Sequence, residues 1–380
     1  MPGIGLMGGR FGGTATAPSI TIGIFSDAGH STPITEADFG DTVYIQATAS
    51  NFTATRYRFF YGTGNNLTEI ADQVSNEYAW TVNAIGDLNI VAIATDASNN
   101  EEIDSTPLTV QSDADAVTYL TNAGISNDGT VYFSGTPQEV TGSEYYVLVS
   151  AFFVSLKQNG LFDKGFWGRL GIGGTAAAHK LNIFNPLDTD AAFRGTFNGG
   201  WTHDKEGYTS NGVNAYCNNH FNPSTHQAAN DGAYACYLRS TSDGTAGNFV
   251  WGVSANVSNQ SNFLPKTTID RSFYGIGGNP IQFNGLAISD TDGMHIVTRT
   301  ASNITKWIGN GVLIDSTTDA FGYHPNFNTY SGARNNSGTP LYGQATTFSF
   351  EGEFEGLSDA EAANLRTAVD TLMTALNLNV

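Results

Sequence analysis

The sequence predicts an all-β protein: a smaller sandwich domain, then a larger one, with a short helical connector between them and a helix at the C-terminal end. Three observations predict it. Short runs of alternating apolar and polar residues recur along most of the chain, turn residues interrupt them at short intervals, and helical spacing is confined to two stretches. A chain of 380 residues is long for one domain and comfortable for two.

Residues 1–17 are Gly-rich. Ile4, Leu6, Met7 and Phe11 make them unusually apolar for a plain linker, so they read either as an arm that orders against a neighbouring subunit or as a simple linker. Residues 18–111 come next, with strand patterns. Val43, Ile45, Ala47 and Ala49 alternate with Tyr44, Gln46 and Thr48, which marks one buried face, and Tyr57, Phe59 and Tyr61 repeat the pattern. Leu88–Ala94 is an almost unbroken apolar run of strand length. Turns at Phe39–Asp41, Ile85–Asp87 and Ser98–Asn100 complete the pattern of a small sandwich.

Residues 112–164 change character. Asp113–Gly124 reads as a short helix stopped by glycine. Ser143–Asn159 sets Leu148, Phe152 and Leu156 at helical spacing before Gly160, although Tyr145 and Tyr146 also suit a strand. This segment reads as a partly helical connector packed on the second domain. Residues 165–380 return to strands. Thr209–Gly212 and Ile308–Gly311 are hairpin candidates, because Asn-Gly suits the turn that matches strand twist. Ser358 and Glu361 form a capping box, and Leu365, Val369, Leu372 and Leu376 line one face of the final helix.

Composition narrows the function. Hydrophobic residues at 40% and aromatics at 12% suffice for real cores. Thirty-five acidic against 16 basic residues give a net charge of −19, with no clustered Lys and Arg, so nucleic acid is not an expected partner. No segment has the length of a membrane span, and Met1–Arg10 lacks the charged and apolar regions of a secretory signal. Cys217 and Cys236 give no disulfide framework. They read as two half-buried thiols made in a reducing cytosol, with a single bridge between them as the alternative.

Particular segments carry three resemblances. GDTVYIQATAS (40–50), YRFFYGTGNNL (57–67) and EYAWTVNAIGDLNIVAIATDASNN (77–100) resemble the bacterial and phage immunoglobulin-like modules, close to the PKD-like type. That implies a spacer or adhesion module with Tyr78 and Trp80 in its core. MHIVTRTASNITKWIGNGVLID (294–315) and GLSDAEAANL (356–365) resemble the concanavalin A-like, or laminin G-like, jelly-roll sandwich. GLFDKGFWGRLGIGGTAAAHKLNIFNPLDTDAAFRGTFNGGWTH (160–203) and SNGVNAYCNNHFNPS (210–224) are similar to a family common among phage structural genes. That family usually carries Tyr-Pro where this chain has Arg169–Ile172, and its usual ending is replaced by Asn377–Val380. The resemblance implies a virion component made in the host cytoplasm, joined to other capsid or tail proteins through the arm, with homo-oligomers common in such settings. It implies no known active site.

Several constellations bear on chemistry. Glu351, Glu353 and Glu355 share one face of a strand, and some glycoside hydrolases of the concanavalin A-like fold use a similarly spaced pair. The triad directly precedes the terminal capping box, so it is expected at the sandwich edge as a solvated face. Polysaccharide hydrolysis or lysis is therefore the alternative reading, beside a secreted bacterial adhesin. The seven histidines show no metal signature and read as a surface distribution; no cofactor or metal is expected, save a weak Ca²⁺ site at the turn Ser289–Gly293. Trp201, His203, Tyr208, Tyr216, Tyr323 and His324 lie near turns and are the candidate glycan contacts, since sugar rings stack on aromatic faces. The sequence thus leads to a non-enzymatic virion protein, a capsid decoration or tail appendage, that attaches to surface glycans.

Overall fold

The computed structural model describes residues 16–64, 66–133, 139–241, 249–256, 258–265, 271–278, 281–284, 291–318, 320, 322–343 and 345–380. The arm candidates Ile4, Leu6, Met7 and Phe11 lie outside the described residues, as does part of the Ser289–Gly293 turn. The chain divides into two compact units, the first ending at Gln111 and the second beginning at Ser112.

The first unit contains β1 (Ser19–Phe25), β2 (Glu36–Asp38), β3 (Thr42–Ser50), β4 (Ala54–Thr63), β5 (Asn66–Gln73), β6 (Glu77–Thr81), β7 (Gly86–Asp96) and β8 (Glu101–Gln111). A sheet ordered β1-β3-β6 faces one ordered β2-β8-β7-β4-β5. The alternation in β3 sets its burial: Val43, Ile45 and Ala47 are buried, while Tyr44 and Gln46 are partly exposed. Phe59, Trp80, Ile90, Ala92 and Leu108 fill the space between the sheets. Trp80 stacks on Tyr61 at 4.8 Å, and Tyr78, only half-buried, stacks on Phe59 at 6.1 Å.

The second unit opens with α1 (Ala114–Asn122), β9 (Val131–Phe133), β10 (Val140–Thr141) and α2 (Gly142–Gln158). Asp113 caps α1 and a Thr141–Glu144 capping box starts α2; Gly124 and Gly160, both at positive φ, follow the two helices. Tyr145 and Tyr146 are helical and buried, not strand residues. Then come β11 (Gly165–Leu170), α3 (Ala176–His179), β12 (Thr196–Asn198), β13 (Trp201–Asp204), β14 (Gly207–Asn211), β15 (Tyr216–Asn218), α4 (Pro223–His226) and β16 (Gly232–Thr241). The rest is β17 (Trp251–Asn256), β18 (Asn259–Leu264), β19 (Arg271–Gly278), β20 (Ile281–Asn284), β21 (Gly293–Ala301), β22 (Ile304–Gly309), β23 (Val312–Thr317), β24 (Tyr330–Ser331), β25 (Ala333–Asn336), β26 (Thr339–Tyr342), β27 (Ala345–Phe354) and α5 (Asp359–Ala375).

These strands make two sheets. One runs β13-β14-β27-β16-β21-β22-β23, with β11 also on β27; the other runs β12-β15-β24-β17-β18-β19-β20, with β25 and β26 beside β17. Trp167, Tyr208, Tyr234, Trp307 and Phe348 of the first sheet meet Trp251, Phe263 and Tyr274 of the second in a buried aromatic core. The outer face of the first sheet is covered as well. There Ile296, Phe350 and Phe354 pack under Leu120, Val149, Phe153, Leu365, Val369 and Leu372 from α1, α2 and α5. The segment 112–164 is therefore an integral helical layer of the second unit rather than a linker.

The all-β, two-sandwich expectation is what the structure has. Asn310 and Gly311, both at positive φ, turn the β22–β23 hairpin as expected. Asn211-Gly212 does not make a hairpin: β14 pairs with β13 and β27, while β15 belongs to the other sheet. The Asn211 side chain instead accepts from the backbone N–H groups of Val213, Asn214 and Ala215, folding a crossing between the sheets.

Candidate functional site

Two regions of the second unit hold the residues that the sequence singles out. The first lies inside the sandwich. Glu351 and Glu353 flank Gly352 on β27, so both point to the same side. β27 is a central strand, paired on one side with β16 and on the other with β14 and β11. The side shared by the two carboxylates faces the second sheet: Glu351 is 0% and Glu353 1% exposed, and only Glu355 reaches solvent. The solvated edge strand expected from the sequence is thus corrected. Its position before the capping box does not place it at an edge, because α5 folds back over the same sheet.

Charge at that depth needs partners. Arg169, the cross-strand neighbour of Glu351, is equally buried and donates from Nη1 to Glu351 Oε1 at 3.1 Å. Tyr208 Oη donates to the same oxygen at 2.9 Å; Tyr234 Oη and Ser331 Oγ donate to Oε2 at 3.2 and 2.6 Å. Arg169 Nη1 also donates to Asn219 Oδ1 at 2.9 Å, and its guanidinium lies 4.4 Å over the Trp167 ring. Among the described residues Glu353 has no cation. Trp251 Nε1 and Thr329 Oγ1 donate to its Oε1 at 3.0 and 2.5 Å, and burial pushes its carboxyl up to about 8. The arrangement holds the two sheets in register. Both carboxylates are sealed between the two sheets.

The second region is a rim where the edges of the two sheets meet. Phe197 on β12 touches Trp201 and His203 on β13, at 5.1 and 4.6 Å between ring centroids. Gly199 makes the tight turn between them at φ +78, where a Cβ would meet the carbonyl oxygen of Asn214 at 2.0 Å. Tyr216 pairs with Asn198 across β12–β15 and stacks on Tyr330 at 4.9 Å. Phe197, Trp201, His203 and Tyr216 are all half-buried, and exposed Asn211 and Asn214 stand beside them. Next to Phe197, a shallow depression of about 360 Å³ is lined by Lys180, Arg194, Gly195 and Thr196. Asp188 accepts from Lys180 at 2.5 Å and from Arg194 at 2.9 Å; Asp190 accepts from Arg194 at 2.8 Å.

Of the six candidate glycan contacts, Trp201 and His203 come together here around Phe197, while Tyr216 lies on the opposite face of β15, stacked on Tyr330. Tyr208 lies behind them but is 0% exposed and committed to Glu351, so it is an interior residue. Tyr323 is 54% exposed and accepts from Asn256 at the far end of β17, apart from the rim. His324 is buried, with Nε2 bonded to the Ala228 carbonyl, and cannot face a ligand. Phe197 completes the group, and Tyr330 backs Tyr216 on the other face. Their only sequence signal was aromatic character beside predicted turns, which core residues share. Cys217 and Cys236 are fully buried free thiols, not half-buried ones. His179 and His295 are buried too, so the histidines are not a surface distribution.

No family model matches the chain, and no curated protein matches it. Solved structures do resemble part of it. Domain 4 of AbnA, a GH43 extracellular arabinanase from Geobacillus stearothermophilus, in complex with arabinotriose, is similar at 14% identity and a TM-score of 0.33, over 46% of this chain and 88% of that one. The CBM40 of the Ruminococcus gnavus IT-sialidase, bound to alpha2,3 sialyllactose, is similar at 15% identity and 0.30, over 37% and 84%. The receptor-binding domain of botulinum neurotoxin mosaic serotype C/D reaches 0.37 at 10% identity, over 53% of this chain and 49% of that one. At these scores the likeness concerns strand arrangement and carries no functional weight.

Proposed function

We propose that this chain is a non-enzymatic component of a phage-type virion appendage that attaches to surface glycans through the rim of its second unit. The observation that carries the glycan reading is the rim itself. Half-exposed Phe197, Trp201 and His203 offer ring faces, and exposed Asn211 and Asn214 beside them offer polar groups for hydroxyls. The sealed carboxylates favour binding over hydrolysis. The virion assignment is supported by the resemblance of 160–203 and 210–224 to phage structural proteins, with the immunoglobulin-like unit as spacer and residues 1–17 as anchor.

Glycan-array binding of the full chain, beside its Trp201→Ala and His203→Ala variants, tests the rim. The wild type is expected to retain a defined set of glycans, and each variant to weaken binding about tenfold or more. Equal binding by both folded variants would remove the rim from the reading. Quantitative mass spectrometry of purified particles tests the virion part: a few copies per particle indicate a tail position, many copies a head decoration, and absence overturns it.

A further inference from the structure

Basic residues are scarce in this chain and acids plentiful, at 16 against 35, so a guanidinium readily finds a carboxylate. Arg56, Arg58, Arg169, Arg194, Arg239 and Arg366 each pair with an aspartate or glutamate. Arg334 on β25 does not. Among the described residues no acid meets it, and burial lowers its guanidinium from the ordinary range with nothing offsetting that cost.

Its setting is polar and fixed. Gly252 on β17 pairs with Arg334 on one side and with Asn262 of β18 on the other, so the three share one face of the second sheet. That face is turned away from the aromatic core, which takes the neighbouring Trp251 and Phe263. Gly252 puts no side chain between its two partners, and Gln260 bridges them. Its Oε1 accepts from Asn262 Nδ2 at 3.1 Å and from Arg334 Nη1 at 2.6 Å. The guanidinium also lies 4.4 Å over the Phe249 ring. One acceptor and one aromatic face thus set its direction, while Nη2 is left without an acceptor among the described residues. Exposed Asn336 follows two residues on along the same face, and Leu341, the cross-strand neighbour of Arg334 on β26, is 39% exposed.

We propose that Arg334 is the centre of a second ligand site, separate from the aromatic rim, that takes the carboxylate of an acidic sugar. The guanidinium pairs with the carboxylate, Leu341 packs against the apolar side of the sugar ring, and Asn336 bonds its hydroxyls. A bound carboxylate supplies the counter-charge that the chain itself omits here, although its net charge is −19. Covering Phe249 and bonding Gln260 need no charge, so a packing role alone gives no reason for a cation at this place. The site does not depend on what the rim binds.

The test titrates the full chain with sodium glucuronate, glucose and sodium acetate, followed by saturation-transfer difference NMR. Glucuronate is expected to bind saturably, with glucose and acetate each weaker by about tenfold or more. Arg334→Met, its fold checked by the melting temperature, is expected to weaken glucuronate binding about tenfold or more. Asn336→Ala, at an exposed position that leaves the fold in place, weakens it about threefold and decides the matter if Arg334→Met does not fold. His203→Ala leaves it unchanged, which separates this site from the rim. Absence of saturable glucuronate binding, or binding by the folded Arg334 and Asn336 variants as tight as wild type, overturns the proposal. Glucose binding as tightly as glucuronate removes the carboxylate from it, and acetate binding as tightly removes the sugar; either result overturns it as stated.

Discussion

The indole Nε1 of Trp251 donates to the carboxyl of Glu353 across 3.0 Å, and this bond ties one sheet of the second sandwich to the other. Tyr234 stacks on the same indole at 4.2 Å, so polar and aromatic contacts fix one point from two directions. Glu351, two residues away on the same side, takes the ion pair with Arg169 instead. Two identical side chains on one strand therefore have different electrostatic environments, and the difference gives separate, measurable consequences.

Glu353 should make the second unit lose stability as pH rises. Its carboxyl is pushed from an ordinary 4.5 to about 8 by burial. The folded chain consequently keeps a proton that the unfolded chain releases. This contribution is fully present below about pH 4.5, is lost progressively above that value, and is gone once pH passes about 8. Urea unfolding of the full chain, followed by Trp fluorescence between about pH 5 and about pH 8.5, should show the midpoint falling. Glu353→Gln keeps the shape without the titration, so its profile should be flatter over that window. Parallel profiles for the two proteins would sink the assignment.

Arg169 and Glu351 should respond asymmetrically to mutation. Removing Arg169 as Arg169→Met leaves Glu351 buried without its cation, which costs about 3–5 kcal/mol. The Arg169→Met/Glu351→Gln double variant relieves that charge and is expected to recover part of the loss. Chemical denaturation of the two singles and the double gives the coupling directly. Additive losses, with no recovery in the double, would show that the pair does not act as a unit.

The extent to which this interior was legible depends on β27 itself. Alternation correctly puts Glu351 and Glu353 on one side, but it cannot say whether that side is wet. β27 is buried on both faces, by the aromatic core on one and by α2 and α5 on the other. Such a strand loses the contrast between apolar and polar faces that a sequence can display. β3, with a less buried outer face, keeps that contrast over Val43–Ala47. Local signals also held where the geometry is local, as in the Ser358–Glu361 box that caps α5 and the Asn310-Gly311 turn. The Arg169–Glu351 and Arg334–Gln260 contacts join distant residues and have no local signal at all.

Both thiols should be inert in the native protein. Burial pushes Cys217 up to about 12 and Cys236 well above its ordinary range, and neither side chain is exposed. Iodoacetamide at about pH 8, read by intact mass, should add nothing to the folded chain and two groups to the chain in denaturant. Rapid labelling of the folded protein at either site would contradict the packing around Arg169 and Tyr234.

Division of the chain at Gln111/Ser112 should yield two fragments that fold by themselves. Each side of the cut owns complete sheets: no strand of β1–β8 pairs with any strand of β9–β27 among the described residues. Each also owns a core, with Ile45, Phe59 and Trp80 in the first unit and Trp167, Trp251 and Phe348 in the second. The helices of 112–164 must stay with the second fragment, because Leu120, Val149 and Phe153 cover Ile296 and Phe350 of its sheet. A cut after residue 164 would strip that layer and expose a contiguous apolar face, with aggregation the expected result. Expression of 16–111, 112–380 and 165–380, followed by circular dichroism melts, distinguishes these cases. Cooperative melting of the first two with insolubility of the third supports the helical layer as part of the sandwich. A soluble, cooperatively melting 165–380 would show that the helices are dispensable after all.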